Sequence, residues 1–309
     1  MSHFTVLVAC PPGTTPDKIN DVLEEILMPF VEYVDPQGDK YAVFKDCTDE
    51  CRQDYENGSD ERIVMPDGTY KYPWDECFRK PGPVDLGADT HHVPEELERR
   101  QVPYKELYKS FEEFVENWHE YRFDEEHNAY GYYYNPNAKW DWWKLGGRWQ
   151  GLLTAKPGTD SSTIILGRPG VFGATGDEYT RRDGRIGCDC CCKKDLDFDY
   201  EREEKLMRVR NGWEAMIAAG HESDAFLRKM QYGFEPGTTL EQELENAKNC
   251  TPFSTFAMLI DGKWYERGEM CWFGIVKNGK EREEWCGDMS QLWEEIPDDA
   301  LVAVVDCHI

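Results

Sequence analysis

Apolar and polar positions along the chain follow two rhythms, and the clearest segments lie near its two ends. His3–Ala9 (HFTVLVA) reads as a buried strand. After the turn Pro11-Pro12-Gly13, the spacing of Ile19, Val22, Leu23, Ile26 and Leu27 predicts a helix, with Thr15 as its N-cap and Pro29 as its stop. Tyr41–Phe44 reads as a strand. From Asp46 to about Glu98, Pro, Gly and Asp dominate with few periodic apolar positions, which predicts a loop-rich excursion. Leu107, Phe111, Phe114, Val115 and Trp118 then mark one face of a helix from Tyr104 to about Arg122.

Further along, Gln150–Ala155 and Thr163–Leu166 read as strands, Tyr200–Ala219 and Leu240–Ala247 as helices. Phe253–Ile260 and Lys263–Arg267 flank Asp261-Gly262, a hairpin turn signal. Cys271–Val276, followed by Asn278-Gly279, gives a further strand. Glu281–Ile296 carries Trp285, Met289, Leu292 and Trp293 on one helical side. The closing run Leu301–Asp306 (LVAVVD) is almost wholly apolar, as a central strand covered on both faces requires. The expected class is α+β: a mixed or antiparallel sheet formed by the N- and C-terminal segments, with helices and a large middle insertion. The expected division is a terminal core of residues 1–45 and 250–309 around an inserted helical and loop-rich region, 46–249.

Charge narrows the partners. With 35 basic against 61 acidic residues, the net charge is −26. Such a field disfavours direct nucleic-acid or anionic-membrane binding and favours basic partners. The opening MSHFTVLVAC has no basic region and too short an apolar run for a signal peptide, and no apolar stretch is long enough to span a membrane. The twelve cysteines then read as cytoplasmic thiols or metal ligands and not as a disulfide framework.

Candidate chemistry is scattered. Trp140, Trp142, Trp143 and Trp149 crowd the segment NPNAKWDWWKLGGRWQG with Asp141, Arg148 and the pair Gly146-Gly147. Indoles there suit stacking on a base, with Arg148 on a phosphate; they equally suit a structural hub closed by an Asp141–Arg148 ion pair. Asp306 and His308 fall on one face if the last strand continues, an arrangement that suits acid–base or metal chemistry. Zinc is a possible cofactor, with candidate ligands Cys188, Cys190, Cys191 and Cys192, two of them joined by a distant thiolate such as Cys250 or Cys271, or else Cys47, Cys51, Cys77 and His91. Gly167, Gly170, Gly173 and Gly176, near Arg168, Arg181, Arg182 and Arg185, resemble a phosphate-cradling loop but match no phosphate-binding fingerprint. No nucleophile–base motif is recognisable.

Taken together, MSHFTVLV, YNPNAKWDWWKLGGRWQG, FAMLIDGKWYERGEMCWFGIV and the terminal VVDCHI resemble a family of proteins encoded by bacteriophages and prophages. KKDLDFD (Lys193–Asp199) fits that pattern, whereas the preceding CDCCC departs from it and puts a family-wide metal site there in doubt. The resemblance extends to Gabija anti-defence proteins. It implies a non-enzymatic, homo-oligomeric inhibitor in the cytoplasm of an infected bacterial host, without cofactor. Its partner would be a host nuclease–helicase defence complex with a basic DNA-binding surface, whose access to DNA it blocks. The alternative is an enzyme or sponge for a nucleotide or nucleotide-derived immune signal, built on the tryptophans, Asp141, Arg148, Asp306 and His308.

Overall fold

The computed structural model describes residues 2–35, 40–80, 90–167, 179–181, 183–249, 254–271 and 274–309. The chain divides into two compact units, one of residues 1–33 with 137–309 and one of residues 34–136.

In the first unit the elements are β1 (His3–Ala9), α1 (Ile19–Leu27), β2 (Trp142–Leu145), β3 (Leu153–Ala155), β4 (Ile186–Cys188), β5 (Cys190–Cys192), α2 (Phe198–Ala218), α3 (Ala225–Tyr232), α4 (Leu240–Asn249), β6 (Ala257–Ile260), β7 (Lys263–Glu266), α5 (Arg282–Glu295) and β8 (Leu301–His308). The main sheet runs β2-β8-β1-β6-β7, and β5 pairs with the other half of the β8 edge that β2 occupies. β1 and β6 are parallel; every other pairing in this sheet is antiparallel. The fold is α+β, and the two terminal segments share its mixed sheet.

The apolar run at the C-terminus takes the central place its composition requires. All eight residues of β8 are buried, and the strand pairs with β1 from His3↔His308 to Ala9↔Val302. Side chains alternate across the sheet. Phe4, Val6, Val8, Ala303 and Val305 pack on one face with Ile19, Leu23 and Leu27 of α1. Leu7, Val302 and Val304 pack on the other with Trp285, Met289 and Leu292 of α5. The positions i, i+4 and i+8 of α1 are the buried ones, so truncating Leu23 to Ala removes the centre of that stripe and costs about 2–5 kcal/mol. Thr15 makes no side-chain cap and precedes a 3-10 turn, Pro16–Lys18, that leads into the helix. Residues 137–249, grouped with the insertion by their sequence pattern, belong to this unit because β2 and β5 pair directly with β8.

The second unit contains a three-stranded sheet of Val43–Asp46, Ala129–Tyr134 and Arg122–Asp124, and another of Tyr70–Lys71, Ser59–Val64 and Glu98–Pro103. The stretch expected to be loop-dominated thus holds the strands Ser59–Val64 and Tyr70–Lys71, the short pair Arg79–Lys80 with Thr90–His91, and the helix Thr48–Asn57. That helix buries only Cys51, so it has no apolar stripe to announce it; Asp46 caps it by accepting from the Thr48 N–H at 2.8 Å. The helix expected from Tyr104 to Arg122 is broken into Tyr104–Leu107, Phe111–Phe114 and a π turn, Val115–His119. Ser110 caps the second piece, and Glu120, in the left-handed region, ends the last.

Candidate functional site

The site grows from one end of the sheet. In the register of β1 and β8, His3 lies directly opposite His308, and Thr5 opposite Asp306. On the other side of β8, Trp142 lies opposite His308 and Lys144 opposite Asp306. Alternation places these six side chains on the face that carries Leu7 and Val304.

Two histidines, His308 buried and His3 half-buried, are each held by a carboxylate. His3 Nδ1 lies 2.9 Å from Asp306 Oδ1, and His308 Nδ1 lies 2.6 Å from Asp141 Oδ1. An ionised carboxylate only accepts hydrogen bonds, so Nδ1 carries the proton in each ring and Nε2 is the basic atom. The two rings meet edge to face with centroids 4.9 Å apart, and the Trp142 indole stacks on His308 at 5.1 Å. Asp306 is fully buried, and its second oxygen accepts the main-chain N–H of Arg148 at 2.9 Å.

A second buried carboxylate braces the loop after β2. Asp189, between β4 and β5, accepts from Gly151 N at 2.6 Å, Gly167 N at 2.5 Å and Tyr179 Oη at 2.6 Å. Burial pushes its carboxyl above the usual range, and these hydrogen bonds oppose the shift. The two aspartates explain the Gly146-Gly147 pair. Both glycines have positive φ, 70° and 52°, and a Cβ would collide with Asp189 at the first and with Asp306 at the second.

The four tryptophans divide between the two faces. Trp140 is buried against α1 and donates to the Leu27 carbonyl at 3.2 Å, and Trp143 packs on the same cluster. Trp142 covers His308, and Trp149 packs on the α5 side. Asp141 is held by His308, where the sequence suggested Arg148 as its partner. Arg148 gives its main-chain N–H to Asp306, and its side chain is exposed. Of the sequence candidates, Asp141, Asp306, His308 and Trp142 come together, with Arg148 touching them through its backbone. His3 joins them from outside the sequence candidates. The signal for it was available, since pairing the two terminal strands in this register sets it opposite His308.

The cysteines do not gather at one centre, and the reading of all twelve as thiols or ligands is corrected at Cys286, which is disulfide-bonded. Cys190 packs with the α1 cluster, whereas Cys188 and Cys191 pack with the α5 cluster on the opposite face; Cys192 lies at the end of β5. In the second unit Cys47 and Cys51 are buried in an aromatic core, while Cys77 is exposed and His91 pairs with Arg79 in a short strand pair. Among the described residues, no group of three or more His, Cys, Asp or Glu side chains is arranged to hold a metal ion. Gly170, Gly173, Gly176, Arg168, Arg182 and Cys250 lie outside the described residues. Arg181 and Arg185 are engaged, the first with Thr154 Oγ1 at 3.2 Å and the second with Asp197 at 2.8 Å. Among the described residues, no helix is long and apolar enough to cross a membrane. No protein-family model, curated protein or solved structure matches the chain.

Proposed function

We propose that the chain is an acid–base enzyme that cleaves a phosphate ester of a nucleotide or nucleotide-derived signal. The observation that carries this reading is the facing pair of carboxylate-held histidines, His3–Asp306 and His308–Asp141. One Nε2 takes the proton from an attacking hydroxyl or water as the new O–P bond forms. The other ring, protonated, gives its proton to the leaving oxygen as the old P–O bond breaks. The aspartates fix the tautomer and stabilise the charged ring, as a buried acceptor on Nδ1 does elsewhere. Trp142 holds the His308 ring plane and offers an aromatic surface at the site. The test is to incubate the purified chain with a panel of linear and cyclic nucleotide phosphodiesters and follow the products by phosphorus NMR. Cleavage of at least one class is expected; no cleavage of any overturns the reading.

A second reading rests on the net charge of −26 and on the sequence blocks that resemble phage and prophage proteins. In it the chain is an anti-defence inhibitor that covers the basic DNA-binding surface of a host complex, such as a Gabija nuclease–helicase. A folded variant with Arg148 and His308 both replaced by Ala then keeps full inhibition. Loss of inhibition in that variant rejects pure binding.

A further inference from the structure

A cleft of about 1080 Å³ opens between the loop that follows β2 and the helix α2. Two chain segments connect its wall to the residues that hold the histidine cluster. Arg148, whose N–H holds Asp306, is followed directly by Trp149 on the cleft wall. Ser254, also on the wall, stands two residues before Phe256, whose N–H donates to Thr5, the residue opposite Asp306.

The wall formed by α2 concentrates cations in a molecule that is otherwise strongly acidic. Lys205 and Arg208, three residues apart, both line it, as does Arg181, whose guanidinium is bound to Thr154 Oγ1 and the Gly151 carbonyl. Glu201 and Glu204 line it as well. Glu201, however, is buried and turned to Thr154, whose Oγ1 donates to it; burial pushes its carboxyl above the usual range, and that hydrogen bond opposes the shift. Behind the wall, Arg282 of α5 joins Lys205 and Arg208 around a smaller cavity of about 230 Å³. These cations crowd one another: burial, then Arg282, Arg208 and Arg202, push the Lys205 ammonium down to about 8. Trp149 and Tyr200 add aromatic surface to the same cleft.

We infer that this cleft holds the phosphate-bearing end of a nucleotide ligand, with Lys205 and Arg208 of α2 gripping the phosphate and Trp149 available to the base. The inference rests on the acid–base reading above and names the arm that presents the substrate to His3 and His308.

Calorimetric titration with AMP, and with adenosine as the uncharged control, tests it. The wild-type protein is expected to bind AMP at least tenfold tighter than adenosine. Arg208 is exposed, so R208A is expected to keep its melting temperature while losing at least tenfold in AMP affinity; H308A is expected to bind AMP as the wild type does. Failure of AMP to bind, equal affinity for AMP and adenosine, or an unchanged AMP affinity in R208A overturns the inference. Its fate is separable from that of the acid–base reading. AMP binding through Arg208 in a protein that cleaves no phosphodiester leaves the cleft assignment standing and removes the chemistry. Cleavage that depends on both histidines, with KM unchanged in R208A, does the reverse.

Discussion

His3 and His308 face each other across β1 and β8 with ring centroids 4.9 Å apart, although 305 positions separate them in the chain. The pairing of the two terminal strands that forms the middle of the sheet therefore also assembles the candidate site. Each ring is turned by its own carboxylate, and a shared indole covers one of them.

Asp306 serves both the site and the fold, and Asp141 serves mainly the site. Replacing Asp306 by Ala strips His3 of its partner and leaves the Arg148 N–H unpaired beneath the loop, a loss of about 3 kcal/mol by denaturant unfolding. Asp141 is partly exposed, and among the described residues its side chain bonds His308. D141N keeps an acceptor for Nδ1 but removes the charge, so it is expected to unfold near the wild-type midpoint while kcat falls with KM little changed. An unchanged kcat in D141N would argue that His308 is held for packing alone.

Gly147 has no room for a side chain. Its φ of 52° disfavours an L residue, and its missing Cβ is replaced by Asp306. G147A is expected to cost about 3 kcal/mol or more, the sum of backbone strain and overpacking. Gly158 has a similar φ of 81° but open space around it, so G158A should cost only about 1–2 kcal/mol. Equal losses in the two variants would show that Asp306 yields to the intruding methyl.

Lys205 makes stability depend on pH in a defined window. Its folded-state pKa of about 8 lies below the unfolded value of 10.5, so the folded chain binds fewer protons between those limits. Its contribution is unfavourable at full size below pH 8 and is relieved as pH rises toward 10.5. Arg202, Arg208 and Arg282 crowd it, while Glu201, Glu204 and Glu243 share the two cavities it lines. K205M is therefore expected to be more stable than the wild type at pH 7, by up to about 3 kcal/mol, with a gap that narrows by pH 9.5. A gap that widens with pH would contradict the burial of this ammonium.

Much of the first unit was legible in its sequence. The apolar closing run predicted a central strand, the Asp261-Gly262 turn predicted the β6–β7 hairpin, and the stripe on α1 is the one that is buried. Asp306 and His308 were visible as neighbours on one strand face. His3 and Asp141 required the strand register, which depends on contacts between positions far apart in the chain. The role of Gly146-Gly147 was hidden for the same reason, because the two aspartates that fill their Cβ positions come from β8 and from the turn between β4 and β5. In the second unit the helix Thr48–Asn57 escaped because its amphipathic signal is weak. Its stability comes from packing and a cap, and neither has a periodic trace.

Cleavage of a nucleotide phosphodiester by the wild type, H3A, H308A and the double variant, all verified as folded, tests the central claim most directly. Each single substitution is expected to lower kcat about 10²–10⁴-fold, and the double variant to lose little more than the worse single one, because the two rings act as one unit. Cleavage that survives unchanged in folded H3A and H308A would contradict it.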